Sequence, residues 1–320
     1  MAIIMAAGNN YVALVQFFFS FFVSIFVLIS LSILLYKNQR HTEKVIMPPV
    51  IINISAWAVA AFFDIGYTTS SIVAWFTGGE FTTEIHTEFI YWTGALYFSA
   101  TTAVSMSVFF ITLDRCLIFT PSLFMDERLK HRLYIANLIA VVGDFFFFLG
   151  VFIVFERPDF ALTKCQTFSC VTNFHALTLN VARMFFGSVN VITATVFAIL
   201  FYRYNKQREV RLNKANGNKL QLFNGHARLQ PQEQQINTSS RGNKIAWIAV
   251  FAELTFNFLP NLVSYLAQAV FDFVLSSDAG PVVSTFSQLD ALLTTIVYLK
   301  IIWRRVIQQK VSDTKTNTYI

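Results

Sequence analysis

Five ionisable residues stand inside long apolar stretches of this 320-residue chain: Asp64, Asp144, Arg183, Glu253 and Asp290. A charge surrounded by hydrocarbon is costly, so such a residue faces an interior partner or a water-filled path. Asp290 precedes Thr294 by four residues, which lets both share one helical face, and Tyr298 follows four residues later. With Asp64, these side chains can form a polar cluster that holds a cation or a proton. The plainer alternative is a structural, hydrogen-bonded acid. Asp144 has no evident partner in the sequence. Arg183 can meet the carboxylate of a ligand or pair with an acid such as Glu88, and Glu253 can pair with Arg115 or face a cavity.

Other chemistry is poorly supplied. The chain has three cysteines, too few for a disulfide framework. Cys165 and Cys170 are close enough in sequence to bridge a small loop or to remain two thiols; Cys116 stands alone. The sequence contains no CxxC or HExxH metal pattern, no Walker loop, no GxGxxG and no GxSxG. An enzyme is therefore the least supported class, and neither a cofactor nor a metal is expected. The net charge of +6 would suggest nucleic acid in a soluble protein. Here the cations lie between apolar runs, so no nucleic-acid partner is expected.

The elements that carry these residues are set by composition. The chain is 55% hydrophobic and only 13% charged, against about 25% charged in an ordinary soluble domain. Its apolar residues fall into seven runs, at about 11–36, 47–76, 89–113, 133–155, 177–202, 245–271 and 282–303. A helix needs about 20 residues to cross a bilayer core. A backbone in lipid must satisfy its own hydrogen bonds, and runs of this length do so as helices rather than barrel strands. The expected fold is an all-α membrane protein, a seven-transmembrane helix bundle spanning residues 1–310. Pro48-Pro49, Gly78-Gly79, Pro158 and Gly280-Pro281 punctuate the runs. Residues 203–244 read as a mobile basic loop and 304–320 as a tail.

Charge sets the expected orientation. Of the 24 Lys and Arg residues, 21 fall on one side of this arrangement. The positive-inside rule then places the N-terminus outside and the C-terminus inside. Glu80, Glu84, Glu88 and Asp278 fall on the opposite, outer side. The expected location is the plasma membrane, as a multi-pass protein.

Asp114-Arg115-Cys116 closes the third run, with Pro121 a few residues on. It resembles the Asp/Glu-Arg-Tyr motif of rhodopsin-like G-protein-coupled receptors. Asn257-Phe258-Leu259-Pro260 is similar to that family's Cys-Trp-x-Pro hinge, and Thr294-Thr295-Ile296-Val297-Tyr298 to its Asn-Pro-x-x-Tyr motif. Lys300, Trp303, Arg304 and Arg305 then resemble the start of its interfacial eighth helix. The chain departs from the family at Cys116, in the missing Asn-Pro of the seventh run and in lacking a cysteine at the start of the third. The Phe-rich runs and degraded motifs resemble a divergent branch, the nematode serpentine chemoreceptors.

The resemblance implies a receptor that binds a small molecule between the outer helix ends and signals to a heterotrimeric G protein, in a sensory-cell membrane. It implies coupling and switch roles for Asp114, Arg115, Phe258, Pro260 and Tyr298, with Glu253 a candidate lock for Arg115. It implies a polar network of Asp64, Asp290 and Thr294. The candidate pocket comprises Trp92, Arg183, Tyr265, Gln268 and Gln288. Gln288 also stands where opsins carry their retinal lysine, so no retinal is expected. A transporter or channel that uses the intramembrane acids is the alternative; the absence of visible internal repeats weighs against it.

Overall fold

In the computed structural model, the described residues are 2–40, 47–77, 84–119, 127–158, 167–172, 177–219, 243, 245–271 and 281–317. Among them are helices and no strand. Seven helices are long and apolar enough to cross a membrane. They are α1 (Tyr11–Gln39), α2 (Pro48–Thr77), α3 (Ile85–Ile118), α4 (His131–Glu156), α5 (Thr178–Gln207), α6 (Ile245–Ala267) and α7 (Val282–Ile301). The chain is thus built as a multi-pass membrane protein.

The helices close a ring around α3. The first packs on α2 and α7, α2 on α3, α3 on α4 and α5, α5 on α6, and α6 on α7. In the most apolar window of α3, 78% of the residues are buried, against 22% in α4 and 28% in α5. So α3 is the axial post, while α4 and α5 stand at the rim. The rim is greasy: Phe22, Phe62, Phe146, Phe147, Phe185, Phe251 and Val263 all point outward and are more than half exposed. Outward apolar side chains in such numbers suit a lipid surface and would be a liability in water.

One end of the bundle carries Lys37, Arg115, Arg128, Arg203 and Lys300. It is called the basic end here, and the other the distal end. The start of α2 shows how sequence sets an end. Pro48 opens the helix, where its missing N–H costs nothing, and the Met47 carbonyl accepts from the N–H of Val50 and Ile51 at 3.0 and 3.1 Å.

Three features differ from the sequence reading. The helix that contains α5 runs on to Lys219, well into the stretch read as a mobile loop. Its Lys, Arg, Glu and Gln residues are good helix formers. The helix that contains α7 runs unbroken from Val282 to Asn317, so no separate eighth helix begins near Trp303. The third difference is two stretches of wider, π-type helix, at Phe152–Glu156 in α4 and Glu253–Phe258 in α6.

Candidate functional site: a polar column capped by aromatics

The distal end is closed by aromatic packing. The chain between α4 and α5 folds back as a one-turn helix, Phe168–Val171. Phe168 is fully buried and lies over α3 at Gly94, where a Cβ would fall 2.4 Å from its ring. Only glycine leaves room for this approach. Around Phe168 stand Tyr91, stacked at 6.0 Å, Phe98 at 4.9 Å and Phe152, edge-on at 5.4 Å. The Phe168 N–H donates to the Tyr67 hydroxyl at 3.1 Å. Tyr67 in turn stacks on Tyr97 at 5.9 Å.

Below this cap, polar side chains descend in separate tiers. In the first, the Ser24 hydroxyl lies 2.7 Å from Asp64 Oδ2 and 3.0 Å from Gln288 Oε1, one proton facing two acceptors. The Gln288 amide donates to the Tyr97 hydroxyl at 3.1 Å. This tier ties α1, α2, α3 and α7 together.

The second tier holds the acids of α6 and α7. Asn257 donates to Glu253 Oε2 at 3.1 Å and to Asp290 Oδ2 at 2.5 Å. Ser105 donates to Glu253 Oε1 at 2.6 Å and Thr294 to Asp290 Oδ1 at 3.1 Å. Every oxygen of the two carboxyl groups thus has a donor, as burial demands. Asn190 on α5 joins the tier by donating to the Ser105 carbonyl at 3.1 Å. Arg183 is 4% exposed, donates to Thr101 at 2.8 Å and covers the Phe98 ring at 5.3 Å. It forms no direct ion pair with Glu253.

The third tier joins α7 to α2 and α3. Tyr298 donates to Asn53 Oδ1 at 2.7 Å, and the Asn53 amide donates to Ser107 at 2.7 Å. At the basic end, Arg115 pairs with its neighbour Asp114 at 2.5 Å and donates to Met47 Sδ at 2.7 Å. This pair is almost fully enclosed, the side chains being 5% and 11% exposed.

The expected cluster is therefore divided. Asp290 and Thr294 do meet, but Asp64 belongs to the Ser24–Gln288 tier and Tyr298 to the Asn53 tier. Glu253 is bonded to Ser105 and Asn257 and not to Arg115, so of its two readings the interior partner is the one observed and the lock is not. Arg183 has turned inward to Thr101, not toward Glu88. Asp144 is buried beside Thr102 of α3. Among the expected pocket residues, Arg183 and Gln288 are interior, while Trp92 and Tyr265 are half-buried. The Gln268 side chain, Cys165 and the Cys170 side chain lie outside the described residues.

Sequence reasoning missed Ser24, Asn53, Tyr97, Ser105 and Asn190 as members of the column. Helical spacing carried a signal for two of them. Asn53 lies eleven residues before Asp64, about three turns, and Asn190 lies seven after Arg183, about two turns. Each therefore shares a face with a residue already singled out. Among the described residues, no three His, Cys, Asp or Glu side chains come together to hold a metal.

The chain matches no family model and no curated protein.

Proposed function

We propose that this chain is a ligand-activated receptor of the plasma membrane, coupled to a heterotrimeric G protein and chemosensory in role. The observation that carries the reading is the enclosed Asp114–Arg115 pair at the basic end of α3. An arginine held by its neighbour in sequence, at the mouth of an axial helix, can be released to a partner without dismantling the bundle. The motif residues around Pro260 and Tyr298 support the same reading by resemblance. The cationic end then faces the cytosol and the aromatic-capped end faces outside, as the positive-inside rule expects.

The ligand is a small molecule held near the distal end, among Arg183, Gln288 and the half-buried Trp92 and Tyr265. It shifts the bundle only if it binds one arrangement more tightly than the other. The test is nucleotide exchange on purified G protein, with the receptor in lipid, across a ligand screen. Activation by a ligand is expected, and Arg115→Ala is expected to abolish it at normal surface expression. A response that survives Arg115→Ala intact counts against the assignment. Epitope tags between residues 205 and 240 should be reachable only after permeabilisation.

A transporter or channel is the second reading. The observation that favours it is the stacking of Asp64, Glu253 and Asp290 in successive interior tiers, since such acids can relay protons. Ligand-independent current or uptake in reconstituted vesicles would select it.

A further inference from the structure

The wide turn in α6 sits where the helix has most reason to be regular. Within Glu253–Phe258 the hydrogen bonds skip one residue further than in an α-helix; the Leu259 N–H reaches the Leu254 carbonyl. A π turn accommodates one extra residue and is disfavoured on its own. Something must therefore hold it, and three fastenings are present.

The first is Asn257, whose amide is shared between Glu253 on its own helix and Asp290 on α7. The second is Asn261, whose side chain donates to the Asn257 carbonyl at 2.6 Å. That bond occupies the carbonyl that in α geometry would accept from the Asn261 main-chain N–H. The third is Gly187 of α5. A Cβ there would fall 2.4 Å from the Phe258 ring and 3.0 Å from Phe258 Cβ, so the close seat of Phe258 needs a glycine opposite.

Slipping this turn into α geometry would have a defined result. With the Pro260 side held in place, the preceding part of α6 turns by about 100°, one residue's worth of helix. Each residue then takes the place of the one before it. Glu253 moves into the place of Ala252, Phe251 into that of Val250 and Trp247 into that of Ala246. The residues being displaced are tightly enclosed: Ala246 and Ala252 are 0% exposed and Val250 is 8% exposed. The incoming Phe251 and Trp247 are 62% and 38% exposed. A close-packed interface does not admit a tryptophan where an alanine sat. The segment from Ile245 must therefore part from α3 and α5 as it turns, while the Pro260 side keeps its contacts.

We propose that α6 is a two-register switch, in which loss of the π turn at Glu253–Phe258 rotates the Ile245–Ala252 segment and wedges it away from α3 and α5. The device converts a change at the Glu253–Asn257–Asp290 junction into opening at the basic end. It goes beyond the receptor reading and does not depend on it, since a carrier would gate the same way.

The experiment measures the distance between nitroxide amino acids introduced at positions 33 on α1 and 251 on α6, in the full chain reconstituted in lipid nanodiscs. Two populations separated by roughly 8 Å are expected, the chord of a 100° turn on a helix about 11 Å across. Gly187→Ala, which unseats Phe258, should raise the second population roughly tenfold, the order of effect that overpacking by one methyl produces. Asn261→Ala should raise it as well and gives an independent reading if Gly187→Ala does not fold. Deleting Leu254 removes the extra residue while keeping both flanks in their present phase, so it should leave only the first population. One unchanged distance in the parent, Gly187→Ala and Asn261→Ala would overturn the proposal. So would a second population that survives the Leu254 deletion.

Discussion

The π turn of α4 and the π turn of α6 place the same backbone irregularity in two settings. In α4 it lies at the distal end, just before Arg157 adopts an extended backbone and Pro158 stops the helix. Its outward residues Ile153, Val154 and Phe155 are exposed. The Phe152 carbonyl is taken by the Tyr91 hydroxyl at 2.8 Å, and Glu156 accepts from the Thr178 N–H at 3.2 Å, capping the start of α5. These partners are fixed parts of an aromatic seat and a helix end. In α6 the turn lies in mid-helix; beside the seat of Phe258 against Gly187 of α5, it is fastened by two side-chain amides, Asn261 within α6 and Asn257 to Asp290 of α7. The difference teaches that a wide turn is set by its neighbours. In α4 packed rings and a helix cap hold it at the end of a helix, whereas in α6 a polar junction shared with α7 adds the point at which the proposed switch would act.

The comparison can be tested by removing one fastening at a time and following thermal unfolding in nanodiscs. The largest effect is expected from Phe168→Ala, which empties the seat around the α4 turn and should cost about 3–5 kcal/mol, as large aromatic truncations do. Next is Asn257→Leu, which strips a donor from two buried carboxyl groups and should cost about 2–4 kcal/mol. If Asn257→Leu proves milder than the loss of a single hydroxyl at the distal end, the view of Asn257 as the keystone of α6 fails. Tyr91→Phe leaves the Phe152 carbonyl without its donor but keeps the ring, so a loss of about 1 kcal/mol is expected. Glu156→Gln retains an oxygen to accept from Thr178 and should cost no more than about 0.5 kcal/mol. A large effect there would show that the charge of Glu156, rather than its acceptor, caps α5.

The seven crossings were legible because hydropathy is a property of consecutive residues, and each run is long enough to decide its own structure. Their ends were less so. The helix of α5 outlasts its apolar run because Lys206, Gln207 and Arg208 continue a helix as readily as leucine does. The site divided along the same line. Asp290 and Thr294 were found together because they are one turn apart on one helix. Asp64 stands apart from them as the hydrogen-bonded acid of the plainer alternative, because its partners, Ser24 and Gln288, come from other helices and are set by relative helix rotation. Charge alone points Arg183 toward an outer acid such as Glu88, whereas its bond to Thr101 depends on how α5 packs on α3. Neither π turn has a signature in the residues that form it. Asn261 and Gly187 each look unremarkable until the structure sets them against Asn257 and Phe258.

The make-up of the Phe168 seat also bears on the order of assembly. Tyr67, Tyr91, Gly94, Phe98 and Phe152 all precede Phe168 in the chain, and none belongs to α5, α6 or α7. During synthesis the receptacle is therefore complete before its occupant emerges. The first four helices can lock as a finished subassembly while the last three are still leaving the ribosome, giving the later helices a template to dock against.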